Sequence, residues 1–413
     1  MTMQQQASKT INDLAPDDLV KVCKYIEMGS CFALDGVRCC VHGTIESPLI
    51  VTAEEIRNNA VTYDLVVQRK RELFAAINSL ADGPSASCKT CANLVEKRYG
   101  DVCFDYLGGE PLPAALNIQH YTECNQRCTY CFYTQTNKFL KPQYNIIDYF
   151  ELFKKNGKLR GNNWIDFSGG ETAMLKNFNE ILSYLLDNNL GTVVVYSNAV
   201  IFSQSIYDAL KDNRIILTTS LDTGMASTYG KLRGVNVNTY SKVVANLIRY
   251  RNSGTSRLWL KYVICDINRT EDDLWSFVWA MLALRPNNLM ICPEFPYGEK
   301  QIPGETVKFA ARLWYVLERV TGMTPIDYTN EFGDPQWVKY REDLRSNIQG
   351  MIRQKPFGDE SAFQKLESTP MSFARVKEWV WSSELRNSLL PTGSAREKLA
   401  VSAWRKTFGR VLG

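Results

Sequence analysis

Residues 122–134 read "TECNQRCTYCFYT" and carry Cys124, Cys128 and Cys131 in a C-x3-C-x2-C spacing. Three thiolates are one short of a closed tetrahedral metal site. Either a fourth ligand comes from elsewhere in the chain, or one position is meant to stay open. The chain has 12 cysteines and only 2 histidines, His42 and His120, so any metal site must be mostly thiolate. Such sets favour zinc or iron–sulfur clusters. Clustered thiols in a reducing compartment point to metal or catalysis rather than to disulfides.

Downstream of the cysteines, short β-rich runs alternate with helical stretches. "ALNIQHYTE" (115–123) reads as a strand leading into the cysteines, and "WIDFSGGE" (164–171) as a strand ending in a turn. "TVVVYSN" (192–198), "RIILTTSLD" (214–222), "RLWLKYVICD" (257–266) and "NNLMICPEF" (287–295) follow as strands. Helices are expected over 174–189, 201–213, 239–253 and 270–284 from their apolar spacing. Continuous apolar strands between helices imply a parallel sheet. Six β/α units fall short of the eight in a closed barrel, so an open, partial barrel is expected. The polar groups all follow the apolar part of a strand. That places Cys124, Glu171, Ser197, Ser220 and Asp222 on one rim, the face where such barrels bind ligands. Gly169 and Gly170 leave the backbone open to close approach and to positive φ.

Composition sets the class. Of 413 residues, 45% are apolar and 22% charged, as in ordinary globular proteins. Lys plus Arg (48) nearly balances Asp plus Glu (44), a net charge of +4, which gives no reason to expect a nucleic-acid partner. No apolar run approaches the roughly 20 residues of a membrane helix. The polar start "MTMQQQASKTINDLAPDD" lacks a secretory h-region, so no membrane and a cytoplasmic location are expected.

With these residues in order, the chain resembles the radical S-adenosylmethionine (SAM) superfamily. "CNQRCTYC" matches the family's CxxxCxxC loop, "GGE" (169–171) its second motif, and "SLDTGMASTYGKLRG" (220–234) an "SLD…RG" segment of the branch that includes peptide- and protein-modifying enzymes. The resemblance covers roughly residues 113–300. It implies an α/β fold with a partial (β/α)6 barrel core over 113–322, behind a small cysteine-rich α+β region (1–112) and before a C-terminal helical extension (323–413).

The resemblance also implies an answer to the missing ligand. Cys124, Cys128 and Cys131 would hold three irons of a 4Fe–4S cluster, and SAM would chelate the fourth. Reductive cleavage of SAM would give a 5′-deoxyadenosyl radical that abstracts hydrogen from a substrate. Gly169, Gly170 and Glu171 would bind the SAM amino group. Ser197 and Asn198 would lie near SAM, Ser220 and Asp222 near its ribose and the reaction centre. Arg233 would hold its carboxylate, since a guanidinium fork suits that group. Tyr130 would pack near the adenine. An electron donor such as a flavodoxin or ferredoxin is implied, and the protein would be oxygen-sensitive.

Plainer readings stand beside these. Cys124, Cys128 and Cys131 suit a zinc site. Glu171 suits the first turn of a helix, Ser197 and Asn198 suit an N-cap, Ser220 a turn, and Arg233 a surface. Lys261 faces the pocket only if its strand alternates correctly. Cys265 and Cys292 read as buried small apolar residues, and His42 and His120 as structural.

Seven further cysteines precede residue 112. "CKTC" contributes Cys88 and Cys91, and "SCFALDGVRCCV" (30–41) reads as a hairpin turning at Asp35–Gly36, with Cys31 opposite Cys40. Some radical SAM proteins carry auxiliary 4Fe–4S clusters, and this segment is similar. Cys23, Cys40, Cys88 and Cys91 are the expected ligands, with Cys39 or Cys31 as replacements for Cys40, and with zinc or free thiols as alternatives. In the tail, 334–354 and 395–412 read as helices; the latter is basic and suits a solvated face, a lid or a docking surface. The usual C-terminal cysteine-rich extension of the peptide-modifying branch is missing. With no clear leader-binding module read in residues 1–112, the first functional expectation is a small-molecule substrate (sugar, nucleotide or amino-acid-derived). A peptide maturase and a non-catalytic iron–sulfur redox or scaffold protein are the alternatives.

Overall fold

The computed structural model describes residues 11–40, 47–78, 86–89, 91, 93–111, 115–294, 301–331 and 335–354. His42, the helix expected over 395–412 and the rest of the tail beyond 354 lie outside the described residues.

Twelve strands are described: β1 (Leu19–Val22), β2 (Ser30–Ala33), β3 (Gly36–Arg38), β4 (Leu49–Thr52), β5 (Val95–Arg98), β6 (Leu116–Ile118), β7 (Asn163–Phe167), β8 (Gly191–Tyr196), β9 (Ile215–Ser220), β10 (Leu258–Ile264), β11 (Asn288–Pro293) and β12 (Ile326–Asp327). β1 and β5 form an antiparallel ribbon. The rest make one sheet, ordered β12-β11-β10-β9-β8-β7-β6-β2-β3-β4. From β12 to β2 the neighbours run parallel; β3 and β4 are antiparallel. The order begins and ends on different strands, so the sheet stays open as expected, but β2 and β12 extend the six expected parallel strands to eight.

The strands form because their apolar runs are covered. Leu217, Leu260 and Ile291 on one face join the main core with Ile181, Leu210 and Val278 of the crossover helices. Those helices occupy Phe178–Asp187, Gln204–Lys211, Asn238–Arg251 and Glu271–Leu284, within one residue of the ranges expected from spacing. Ile146–Lys155 and Gly304–Thr321 are helices the alternation did not reveal. Ile146, Tyr149, Phe150 and Phe153 are buried at i, i+3, i+4 and i+7, and the Asn145 side chain caps the first turn at 3.2 Å. Each large apolar side chain so buried contributes roughly 1.5–3 kcal/mol. Pro335–Gln354 is the helix expected over 334–354 and packs on Gly304–Thr321.

Two expectations need correction. The hairpin pairs Ala33 with Gly36 and Cys31 with Arg38, so its loop is Leu34–Asp35 and Cys31 does not face Cys40. Gly36 is needed for another reason: at φ +144, a Cβ there would stand 2.0 Å from the Val51 carbonyl of β4. The strand expected over 115–123 holds the ladder only to Ile118. Beyond it the chain turns away, because the carbonyls of Tyr121 and Glu123 are taken by the N–H groups of Gly170 and Glu171, at 2.8 Å each.

Candidate functional site

The loop carrying Cys124, Cys128 and Cys131 is seated on Gly169 and Gly170. Neither glycine adopts positive φ; the absence of a side chain is what matters. A Cβ at Gly169 would lie 2.2 Å from the Tyr121 carbonyl, and one at Gly170 2.1 Å from that of Glu123. The other side of the loop is pinned by Arg127 N–H to the Arg233 carbonyl and Thr129 N–H to that of Leu232, both at 2.9 Å.

Glu171 follows the two glycines and is buried. It accepts from Ala173 N at 3.0 Å, Ser197 Oγ at 2.7 Å and Asn198 N at 2.7 Å. Burial pushes its carboxyl up, against these three donors. Asn198 in turn donates through Nδ2 to Asn125 Oδ1 at 2.7 Å and toward Cys124 Sγ at 3.7 Å. The ends of β7 and β8 are thus tied to the cysteine loop through side chains. Glu171 also caps the short turn Thr172–Met174, so its helix-terminal reading holds alongside this one.

A second group gathers at the ends of β9 and β10. Asp222 sits at φ 62, a left-handed conformation that Asp tolerates better than most residues. Its Oδ1 accepts from Val263 N at 2.8 Å and its Oδ2 from Tyr130 Oη at 2.8 Å. Arg233 pairs with the same Oδ2, donates to the Ser220 carbonyl, and reaches Cys128 Sγ through Nη1 at 3.3 Å. Its guanidinium lies 5.3 Å from the centre of the Tyr130 ring. Arg233 is buried, which removes the surface reading, and its Nε has no hydrogen-bond partner. Burial pushes the Asp222 carboxyl up, opposed by this guanidinium. Asn268, not singled out by sequence, donates to the Asp222 carbonyl at 2.8 Å; its isolated position in "CDINRT" gives no signal.

The thiols suit a metal–sulfur group by donor chemistry. Among the described residues no three His, Cys, Asp or Glu side chains stand in ready metal-binding geometry. Yet Cys124, Cys128 and Cys131 share one loop and interact electrostatically. Sulfur also receives N–H donors: Gln126 N to Cys124 at 3.4 Å, besides Asn198 and Arg233. Burial pushes the free Cys124 thiol up to about 12, so a bound cation or metal would favour its thiolate.

The N-terminal thiols interact among themselves. Cys39 is within hydrogen-bonding reach of Cys40 and Cys88, and Cys23 feels Cys40 and Cys91. Ser47 Oγ lies 3.5 Å from Cys39 Sγ and 3.4 Å from Cys40 Sγ. Buried Lys70 donates to the Glu27 carbonyl at 3.1 Å and lies near Cys39, Cys103 and Cys23. Cys31 is buried in β2. Cys265 and Cys292 are buried, as expected. His120 is buried against Tyr121 and Tyr144, a structural placement. Lys261 is buried too, so its strand alternates inward.

A family profile described as the Radical SAM superfamily matches residues 118–278. GTP 3′,8-cyclase of Clostridium botulinum (strain Okra / Type B1) is 28% identical over 134 residues, covering 31% of this chain and 41% of that protein. The S-adenosylmethionine-dependent nucleotide dehydratase RSAD2 of Siniperca chuatsi is 29% identical over 116 residues, covering 27% of this chain and 31% of that protein. The chain thus spans about two fifths or less of the curated relatives' length. Among solved structures, Streptococcus suis SuiB bound to S-adenosylmethionine gives a TM-score of 0.44 at 16% identity, covering 70% of this chain and 62% of that one. Among the described residues, no helix is long and apolar enough to cross a membrane.

Proposed function

We propose, from the premise that the chain belongs to the radical SAM superfamily, that it is a radical SAM enzyme acting on a small molecule. In this reading Cys124, Cys128 and Cys131 hold a 4Fe–4S cluster and the rim around them holds SAM. When bound, these groups supply reductive cleavage of SAM to a 5′-deoxyadenosyl radical that abstracts hydrogen. The chain's own residues bind, orient and shield.

The observation that carries this reading is the link from Glu171 through Asn198 to Cys124. It couples two strand ends to the thiol loop, so the rim and the cysteines form one site. Glu171 fixes the backbone at Asn198, while the bare backbone of Gly169 and Gly170 lets the cysteine loop's carbonyls sit directly on it. Arg233 places positive charge beside Cys128 and keeps one N–H unpaired, which suits an anionic group of SAM. Tyr130, Ser220 and Asp222 border the same space and would meet the ribose and adenine. The curated relatives' names mention GTP and nucleotides, which supports a small-molecule substrate over a peptide.

We assign a second thiol site to Cys23, Cys40, Cys88 and Cys91, beside the core over 113–322 and within the region 1–112. The nearness of Cys39 to both Cys40 and Cys88 keeps it as an alternative ligand. Iron–sulfur chemistry is favoured over zinc by the family.

The test is 5′-deoxyadenosine formation by anaerobically reconstituted protein with SAM and a strong reductant, beside a Cys128→Ala control. Nucleoside that appears only with intact cysteines supports the reading. A fully clustered chain that never binds SAM would point instead to a redox or scaffold role.

A further inference from the structure

The parallel sheet has two faces of different chemistry. Register pairs Asn117 with Asp166, and Lys261 with Ser220 and Met290. Residues paired across a parallel ladder share a face, and neighbours along a strand alternate. Leu217 and Leu260 point into the main core under the helices. Thr218 and Lys261 therefore point the other way, toward the interior of the curved sheet. Asn117, Asp166, Thr218 and Lys261 are all buried on that face. The interior of a closed barrel is filled by branched apolar side chains. A row of buried polar groups there needs partners, because a buried donor or acceptor without one keeps its full desolvation cost.

Two members of the row lack a strong partner. The Thr218 hydroxyl is 1% exposed and has no hydrogen-bond partner. Lys261 is 9% exposed. Its ammonium lies 3.7 Å from the centre of the Tyr328 ring and within reach of the Cys292 thiol. A ring face and a thiol are weak company for a whole buried charge. Asp222 lies within electrostatic reach, but its oxygens are committed to Tyr130, Val263 N and Arg233. Val263, which anchors Asp222, is two residues beyond Lys261, about 6.6 Å along the strand. Lys261 thus sits one step below the rim.

We propose that Lys261, with the Thr218 hydroxyl on the neighbouring strand, binds an anionic oxygen group of the substrate, a phosphate or a carboxylate. This rests on the reading of the rim as the reaction centre and narrows its substrate to a small molecule carrying such an anion. The substrate anion neutralises the buried ammonium and accepts from the unpaired hydroxyl. Its reacting carbon is then presented upward to the strand ends.

Thermal unfolding of the full chain, titrated with pyrophosphate or malonate at constant ionic strength, tests this. One of the two anions should stabilise the wild-type chain saturably. Stronger binding of pyrophosphate marks a phosphate-bearing substrate, and of malonate a carboxylate. Lys261→Met should weaken the preferred anion about tenfold or more, as expected for loss of a charged hydrogen bond. Thr218→Val is nearly isosteric and removes an unpaired hydroxyl, so it should fold normally and weaken the anion several-fold. Saturable binding of neither anion, or unchanged affinity in both variants, would overturn the proposal. Deoxyadenosine formation is scored separately. SAM cleavage by a chain that binds no anion would keep the radical reading and remove this one. Anion binding lost in the variants of a chain that cannot cleave SAM would do the reverse.

Discussion

Arg233 donates to the sulfur of Cys128 at 3.3 Å while the same guanidinium is paired with Asp222. One side chain therefore ties the cysteine loop to the end of β9. The pair is almost fully buried, with side-chain exposures of 5% and 1%. Removing one partner from a buried pair costs more than the pair itself contributes, because the other charge is left uncompensated.

Arg233→Met should lower the unfolding free energy by roughly 3–5 kcal/mol in urea titrations. Arg233→Lys keeps the charge but loses the fork that spans Asp222 and the Ser220 carbonyl, so it should fall between Met and wild type. A Met variant within about 1 kcal/mol of the parent would mean that Asp222 is not held as a buried anion.

The seat of the cysteine loop is equally testable. Gly170→Ala puts a Cβ 2.1 Å from the Glu123 carbonyl, a backbone atom that cannot swing away. The loop must shift, at a cost of roughly 1–3 kcal/mol or more. Melting temperature and iron retained per chain should both fall. Gly304→Ala, with nothing within 4 Å of its Cβ, is the control and should leave both unchanged. Equal behaviour of the two variants would remove the seating role.

Much of this was legible in the sequence, for physical reasons. β8 to β11 read as largely apolar runs, broken by Thr218, Thr219 and Lys261, because both faces of the sheet are buried. Polar groups at strand ends could be placed on one rim because each follows its run immediately. What could not be read depends on partners distant in the chain. Gly169 and Gly170 suggest close approach, yet what approaches is the backbone of residues 121 and 123 rather than a ligand. The Asp35–Gly36 pair suggests a turn centre, but the pressure of β4 on Gly36 shifts the register by one. Arg233 leaves a surface reading open beside that of a carboxylate holder, and only its enclosure by Asp222 and Cys128 removes the former.

Two thiol groups predict two populations of iron. A chain with Cys124, Cys128 and Cys131 all changed to Ala should keep about half of the wild-type iron and sulfide if each group holds one 4Fe–4S cluster. Adding Cys88→Ala and Cys91→Ala should remove the remainder. A triple variant that binds no iron but retains zinc would reassign the N-terminal thiols. One that binds neither metal would leave them as free thiols.

His120 gives the chain an acid-sensitive term. It is fully buried, its ring lies 5.7 Å from that of Tyr121 and 5.5 Å from that of Tyr144, and neither nitrogen has a partner. Burial holds it well below its ordinary 6.5, at about 3. The unfolded chain takes up a proton as pH falls through 6.5, whereas the folded chain resists until about 3. In that window the unfolded state binds more protons, so stability is complete above it and declines as pH falls. Each unit is worth about 1.36 kcal/mol, so the whole window carries a few kcal/mol. His120→Phe removes the titrating group and keeps a ring between the two tyrosines. Its urea midpoint should therefore fall less steeply than that of the wild type between about pH 6.5 and pH 4. Parallel slopes for the two proteins would mean that His120 takes its proton without unfolding the chain.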